Sequence, residues 1–329
     1  MTKSYIVTGG AGFIGSHMCE FLLSRKFKVV CFDNLKQGSS NNIKLLKKYK
    51  NFTFCKIDLL DKKKLSKIKL KNIYGIFHFA GIGDIVPAIE RPTEYVENNA
   101  LGTLNILEYA RRNKILKFTY AASSSCYGLP KKIPISENSE IDIQHPYALS
   151  KYLGEQLVLH WNKVYKMKTD SVRIFNAYGL RSRTSGAYGA VLGVFLKQKI
   201  KNKPLTIVGN GHQTRDFINV KDLVSAFYKV QNSKKSGKIY NVGSGKEQSV
   251  NTLANLISNK IIHIPKRPAE PDRSLAKIKK IKNLGWKPRI NFKDGINEIL
   301  KNIDYWQNAP LWDKGKINKA TKVWFKYFK

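Results

Sequence analysis

The stretch VTGGAGFIGSH, residues 7–17, constrains the fold more than any other. SYIVTGG reads as a strand running into a glycine turn, and GSHMCEFLLSRK reads as the helix that follows. Gly9, Gly12 and Gly15 lie between them, and Gly10-Ala11-Gly12-Phe13-Ile14-Gly15 also fits the pattern G-x-G-x-x-G. Positions without a side chain allow a tight turn, close approach of a pyrophosphate, and close packing of helix on strand. The helix start then offers unpaired N–H groups to the anion. A glycine turn alone is a weak signal. Here it follows the first strand and opens a helix, and Asp33 comes 18 residues after Gly15 at the end of a second strand, KVVCFDN. An acid there, with Asn34 beside it, suits a ribose 2′-hydroxyl and repels an added phosphate, which predicts NAD over NADP. Lys36 nearby is the one feature that favours the phosphorylated form. Asp58, followed by Leu59 after a third strand NFTFCKIDL, suits the adenine edge. Phe79, Ala80 and Gly81 close a fourth strand and bring the backbone back to the cofactor.

The first half continues this alternation. NNALGTLNILEYARRN has apolar positions at helical spacing, KFTYAASSS reads as a fifth strand, SKYLGEQLVLHWNKVYK as a helix and KTDSVRIFNAYG as a sixth strand. Strands alternating with helices of this length imply βαβ units and a parallel sheet. The expected class is α/β: a Rossmann-type doubly wound parallel sheet with a smaller α/β C-terminal substrate lobe. From about Asn176 the pattern loosens. YGLRSRTSGAYGAV reads as a basic loop, PLTIVGNGHQTRDFINVKDL as strand, turn, strand and helix start, and IPKRPAEPDRS as a proline-rich polar loop. The expected division is 1–175 for the NAD-binding domain, with 216–245 returning to it, and 176–215 and 246–329 for the second lobe.

Composition narrows the partners. The net charge is +36, from 59 Lys and Arg against 23 Asp and Glu. Such an excess ordinarily suggests nucleic acid. Here the lysines are scattered through amphipathic segments and turns, so a solvated basic surface that attracts an anionic substrate is the expectation, with no specific nucleic-acid site. No apolar run approaches the roughly 20 residues of a membrane span. The N-terminus shows no signal-peptide pattern, so a cytoplasmic location is expected. Cys19, Cys31, Cys55 and Cys126 form no C-x-x-C pair, and no His/Cys spacing suggests a metal.

Tyr147 and Lys151 stand four apart in HPYALSKYLGEQ, on one face of a helix. A free phenol titrates near pH 10 and is a poor base at neutral pH. A nearby ammonium and a positive nicotinamide ring both favour the phenolate, which is what a base for an alcohol needs. The strand ending in AASSSCYG supplies serine hydroxyls that can share the proton.

With these residues in place, the chain resembles the extended short-chain dehydrogenase/reductases. Among them it is similar to the NAD-dependent nucleotide-sugar 4-epimerases of the UDP-glucose/UDP-N-acetylglucosamine type. The resemblance covers nearly the whole chain and rests on TGGAGFIGSH, DNL, HFAG, NNALGTLNILE, SSSCYG, PYALSKYLGEQ, RIFNAYG, RDFINVKDL, YNVGSG and LGWKP, in the family's order. It implies that Tyr147 is base and acid at the sugar O4, that Lys151 holds the nicotinamide ribose, and that Ser123 shares the proton, with Ser124 competing for that role. It places Asn99 and Phe175 on the cofactor side, and Asn176, Arg215 and Arg267 on the nucleotide diphosphate and its neighbours. It also implies a homodimer through NNALGTLNILEYARR and SKYLGEQLVLHW.

Three departures stand out. A cofactor-side lysine seen after FAG in many members is missing, with Gly83 there instead. The C-terminal R-x-G-D becomes Arg267-Pro268-Ala269-Glu270, and Ser274 stands where some members carry a bulky aromatic. Smaller residues at that last position go with N-acetylated sugars.

Related dehydratases and decarboxylases usually carry an acid just after the serine of the fifth strand, where Ser124-Ser125-Cys126 stand here. The expected reaction is therefore redox-neutral C4 epimerisation of a nucleotide-diphosphate hexose through a 4-keto sugar. A dehydrogenase or reductase releasing NADH uses the same residues and remains the alternative. A 4,6-dehydratase or a non-enzymatic sugar-nucleotide-binding protein is less favoured.

Overall fold

The structure, a computed structural model, describes residues 2–182 and 191–328. Most of the expected loop at 178–191 lies outside the described residues. In chain order the first lobe contains β1 (Ser4–Thr8), α1 (Phe13–Leu23), β2 (Lys28–Asp33), α2 (Ser40–Leu46), β3 (Phe52–Lys56), α3 (Lys62–Lys67), β4 (Ile73–His78), α4 (Pro92–Val96), α5 (Gly102–Arg112), β5 (Lys117–Ser123), α6 (Pro146–Tyr165) and β6 (Lys168–Ile174). Then follow β7 (Asn176–Tyr178), α7 (Val191–Ile200), β8 (Leu205–Val208), β9 (Thr214–Arg215), β10 (Phe217–Asn219), α8 (Val220–Gln231), β11 (Ile239–Val242), β12 (Gln248–Ser249), α9 (Val250–Ile257), β13 (Ile261–Ile264), β14 (Arg273–Ser274), α10 (Lys279–Lys282), α11 (Phe292–Lys301) and α12 (Lys314–Tyr327).

Seven strands form one sheet in the order β11-β6-β5-β4-β1-β2-β3, and every pairing in it is parallel. Parallel neighbours need crossover helices, and these cover both faces. Alternation along β1 shows it directly. Tyr5 and Val7 join the core under α1 and α8, while Ile6 joins the opposite core with Phe118, Leu107 and Val158. The order reverses between β1 and β4, where a doubly wound sheet opens its ligand crevice. The Rossmann-type expectation holds.

A separate core gathers Phe195, Leu205, Leu253, Ile296, Trp306 and Trp324 from α7, β8, α9, α11, a following 3-10 turn and α12. β13 pairs with β8, and β14 and β12 flank β9.

Three elements differ from the sequence reading. The sixth strand breaks at Phe175: its N–H still bonds Val242 O at 3.0 Å, but Asn176 N donates to Asp216 O, so β7 leaves the sheet to pair with β10. The helix expected over NNALGTLNILEYARRN opens with a π-helical turn, Glu97–Leu101, before α5. The proline-rich loop contains β14, which seats Ser274 opposite Arg215.

Candidate active site

The first wall is the glycine turn. Gly9 adopts φ +69°, and a Cβ there would stand 2.6 Å from Ala80 N, so the turn after β4 fits against the turn after β1 only because Gly9 has no side chain. A Cβ on Gly15 would run into Gly9 O. α1 is capped by Gly12, which offers no side chain to its first-turn N–H groups, leaving them for an anion.

Asp33 ties this turn to β2. Its carboxylate accepts from Ala11 N at 3.0 Å and from Leu35 N at 2.8 Å. Burial raises its pKa while these N–H groups lower it. Asp58 accepts from Asn34 Nδ2 and Leu60 N, both at 3.0 Å, and pairs with Lys36 Nζ at 2.9 Å. Burial works against ionisation of Asp58, but the Leu60 N–H, Lys36 and Asn34 hold its pKa below the usual carboxylate range. Lys36, the residue that favoured a 2′-phosphate, is thus paired with an acid. Asp33, Asn34, Asp58, Leu59, Phe79, Ala80 and Gly81 line one cavity of about 260 Å³. Gly9, Gly12, Phe79 and Gly81 also line a second, of about 410 Å³, with Phe13, Ile14, Gly15, Ser123, Tyr147, Lys151 and Phe175. The two cavities therefore share walls, one suited to an adenosine and the other to a nicotinamide and its reaction partner. The residues fit NAD, since Asp33 brings a carboxylate to the wall of the adenosine-sized cavity and the first-turn N–H groups of α1 carry no side-chain cap.

Behind the Gly81 turn runs a buried chain of polar groups. Asn99, in the π-helical turn, accepts from Ile82 N at 2.7 Å and donates to Ile82 O at 3.0 Å and to Ser150 Oγ at 2.9 Å. It lies outside the described lining of both cavities. Its amide fixes the loop rather than facing the cavity, because both of its ends meet protein groups. Thr103 Oγ1 donates to Asn99 O, which leaves His78 Nε2 to donate to Thr103 and His78 Nδ1 to accept from Thr8 Oγ1 at 2.6 Å. This order requires a neutral His78, and complete burial does drive its pKa well down.

Tyr147 is the second residue of α6. His145 caps that helix, its Nδ1 accepting from Ala148 N at 3.2 Å, and Pro146 occupies the first turn. The His145 ring lies nearly parallel to Tyr147, at 9° and 5.9 Å between centroids, while Tyr95 meets Tyr147 edge-on at 6.4 Å. His145 in turn contacts the ring of Trp324 from α12, whose Nε1 donates to Pro268 O. Burial raises the Tyr147 pKa, the hydroxyls of Ser123 and Ser125 lower it, and the charge of Asp84 raises it. Ser123 and Ser125 also bond each other. Ser124 opens the 3-10 turn after β5, and Ser123 pairs with Ser125 rather than with it; neither Ser124 nor Ser125 is in the described lining of the two cavities.

Lys151 lies one turn along α6, its ammonium 4.4 Å above the Tyr120 ring, and Tyr120 OH donates to Lys151 O at 3.1 Å. Burial drives the Lys151 pKa down to about 7, against the opposing pull of Glu155. Burial thus works against the charged form of both groups, raising the Tyr147 pKa and lowering that of Lys151.

The arginines gather apart. Arg215, Arg267 and Glu270 line a third cavity of about 410 Å³. Arg215 Nη1 donates to Thr214 O and Pro271 O at 2.9 and 2.8 Å, and Arg267 Nε pairs with Glu270 at 2.9 Å. Ser274 is buried beside Arg215 in register, and Asn176 is half-buried at the start of β7; neither is in the described lining of these cavities. Asp84, Ser125 and His145 escaped the sequence reading. A proline-preceding histidine at a helix start was the one available signal.

A doubly wound sheet with a glycine turn at its switch point and a serine–tyrosine–lysine set beside that turn defines the class of dinucleotide-dependent dehydrogenases and reductases of the short-chain type. Residues 6–299 match the sequence model of the family described as GDP-mannose 4,6 dehydratase, and the chain belongs to that family, within the extended short-chain group. It is similar to a Methanocaldococcus jannaschii protein provisionally named UDP-glucose 4-epimerase, 37% identical over 302 residues that cover 90% of this chain and 96% of that one. Among solved structures it resembles UDP-N-acetylglucosamine 4-epimerase of Methanobrevibacter ruminantium, in complex with UDP-N-acetylmuramic acid (30% identity, TM-score 0.86, covering 93% of this chain and 98% of that one). It also resembles UDP-glucuronic acid 4-epimerase of Bacillus cereus, in complex with UDP-glucuronic acid and NAD (30%, TM-score 0.84, 93% and 99%).

Proposed function

We propose that this protein is an NAD-dependent 4-epimerase of a nucleotide-diphosphate hexose. The observation that carries the reading is the Tyr147 side chain, which lines one cavity with Ser123, Lys151 and the glycine turn. Bound NAD supplies a hydride acceptor and donor for C4 and a positive ring charge that favours the phenolate. Tyr147 takes the O4 proton and returns it, and Ser123 shares it. Lys151 holds the nicotinamide ribose from beneath the Gly81 turn. Arg215 and Arg267 hold the diphosphate, a role suited to guanidinium forks. The turn after β5 carries Ser124, Ser125 and Cys126, so it brings no acid for eliminating water, which favours epimerisation over dehydration.

The face formed by α5 and α6 supports a homodimer: Leu101, Leu149, Leu153, Val164 and Tyr165 are exposed on or beside it, and a second copy of the same face would cover them.

Purified protein with NAD and UDP-glucose or UDP-N-acetylglucosamine should yield the C4 epimer while reduced cofactor stays far below product. Stoichiometric reduced cofactor would assign a dehydrogenase, and a product lighter by one water a dehydratase. Intact NAD binding with no conversion of any nucleotide hexose would sink the proposal.

A further inference from the structure

The cap of α6 is an uncommon choice. Helix caps are most often Ser, Thr, Asp or Asn, whose short side chains reach the first-turn N–H groups. Here His145 fills that place, its Nδ1 accepting from Ala148 N at 3.2 Å. The rest of its ring meets two aromatic side chains. Tyr147 lies parallel to it within 9°, with centroids 5.9 Å apart, and Trp324 is tilted by 52° at 5.8 Å. His145 is 9% exposed and is not in the described lining of the reaction cavity, whereas Tyr147 is. Burial lowers the His145 pKa to about 4, so at neutral pH the ring is uncharged and acts on the phenol by packing rather than by charge.

Tyr147 has little else of its own helix to lean on. A helical side chain lies back over the turn before it, and Tyr147, second in α6, has no such turn. Another neighbour is Tyr95, edge-on at 6.4 Å, in a small cluster with Ile82 and Ala88. Ile82 is in turn gripped at its N–H and its C=O by Asn99. Trp324 is itself fixed, because its Nε1 donates to Pro268 O at 3.0 Å. Pro268 follows Arg267, which lines the arginine cavity. A row of contacts thus runs from the loop proposed to hold the diphosphate, through Trp324 and His145, to the phenol proposed to take the O4 proton.

We propose that His145 is a positioning residue whose ring, braced by Trp324, sets the Tyr147 phenol in register with the loop that bears Arg267. The inference rests on the epimerase reading. A sugar held by its diphosphate presents O4 at a fixed place, and small errors in the position of the base lower turnover steeply.

The test separates the ring from the cap in the full-length, NAD-loaded protein. His145→Asn keeps an oxygen that caps Ala148 N and removes the ring, and His145→Phe keeps a ring and removes the cap. With whichever of UDP-glucose and UDP-N-acetylglucosamine the wild type converts, His145→Asn should lower kcat about tenfold or more while KM and melting temperature stay near wild type. His145→Phe should melt lower yet turn over faster than His145→Asn. A histidine that only capped the helix would give the opposite order, with kcat following melting temperature. That order, equal loss in both variants, or wild-type turnover in His145→Asn overturns the inference. Crystal structures of the two variants give a readout that needs no turnover: the Tyr147 ring should leave its place in His145→Asn and keep it in His145→Phe. If wild type converts no sugar, the functional proposal falls by itself, and an unmoved Tyr147 in His145→Asn would still overturn the role given to His145.

Discussion

At the scale of single residues, Tyr147 is surrounded by groups that pull its proton in opposite directions. Burial and Asp84 hold the proton on, while Ser123 and Ser125 help it leave. Replacing Tyr147 with Phe should lower turnover by about 10²–10⁴-fold, the usual worth of a positioned acid–base group, and leave NAD affinity near wild type, measured by fluorescence titration. The position of Tyr147 and Lys151 was legible from their spacing. Their electrostatics were not, because burial depends on Tyr95, Tyr120 and His145, which come from distant turns or carry no motif. A second titration lies far from the site. Asp170 on β6 is buried, and burial drives its pKa up to about 7 although Lys238 N donates to it. Its folded pKa exceeds the 3.8 of an ordinary aspartate, so the native state binds more protons through that window and loses stability as pH rises from 3.8 to about 7. Asp170→Asn should therefore gain melting temperature relative to wild type on going from pH 5 to pH 8. An unchanged difference would remove this assignment.

At the scale of elements, α6 is anchored by a buried ion pair. Arg173 Nη2 on β6 meets Glu155 Oε1 at 2.6 Å, with both side chains at most 3% exposed. Ser171 Oγ donates to Glu155, and Arg173 Nη1 donates to Tyr127 OH, which donates to Asn241 Oδ1 on β11. The network joins α6, two strands and the turn after β5. Glu155→Ala leaves Arg173 buried and unpaired, which should cost about 3–5 kcal/mol in urea unfolding, whereas the apolar pair Glu155→Leu with Arg173→Met should recover most of it. A loss no larger than that of an exposed substitution would contradict the network. The sequence announced α6 and β6 as elements, through apolar periodicity and β-branched residues. It could not announce that the sixth strand breaks at Phe175, because the break depends on Asp216, some forty residues on, accepting from Asn176 N.

At the scale of the whole molecule, the sheet and its switch point were legible because each βαβ unit carries its own local signal. The second lobe was legible only in outline. Its strands are short, two to four residues in β8, β9, β12, β13 and β14, and they pair across long stretches of chain. Neither β13 nor α12 had a motif to mark it. Yet α12 reaches Tyr147, the proposed base, through two rings, Trp324 against His145 and His145 against Tyr147. The end of the chain therefore packs against the support of the proposed base, and engineering there is not innocent. Cutting the chain after Trp312 should leave a protein that still retains NAD on gel filtration but turns over sugar at least tenfold more slowly. By the same reasoning an affinity handle fused behind Trp324 is a poor choice for kinetic work, and one placed ahead of β1, far along the chain from these rings, is the better one.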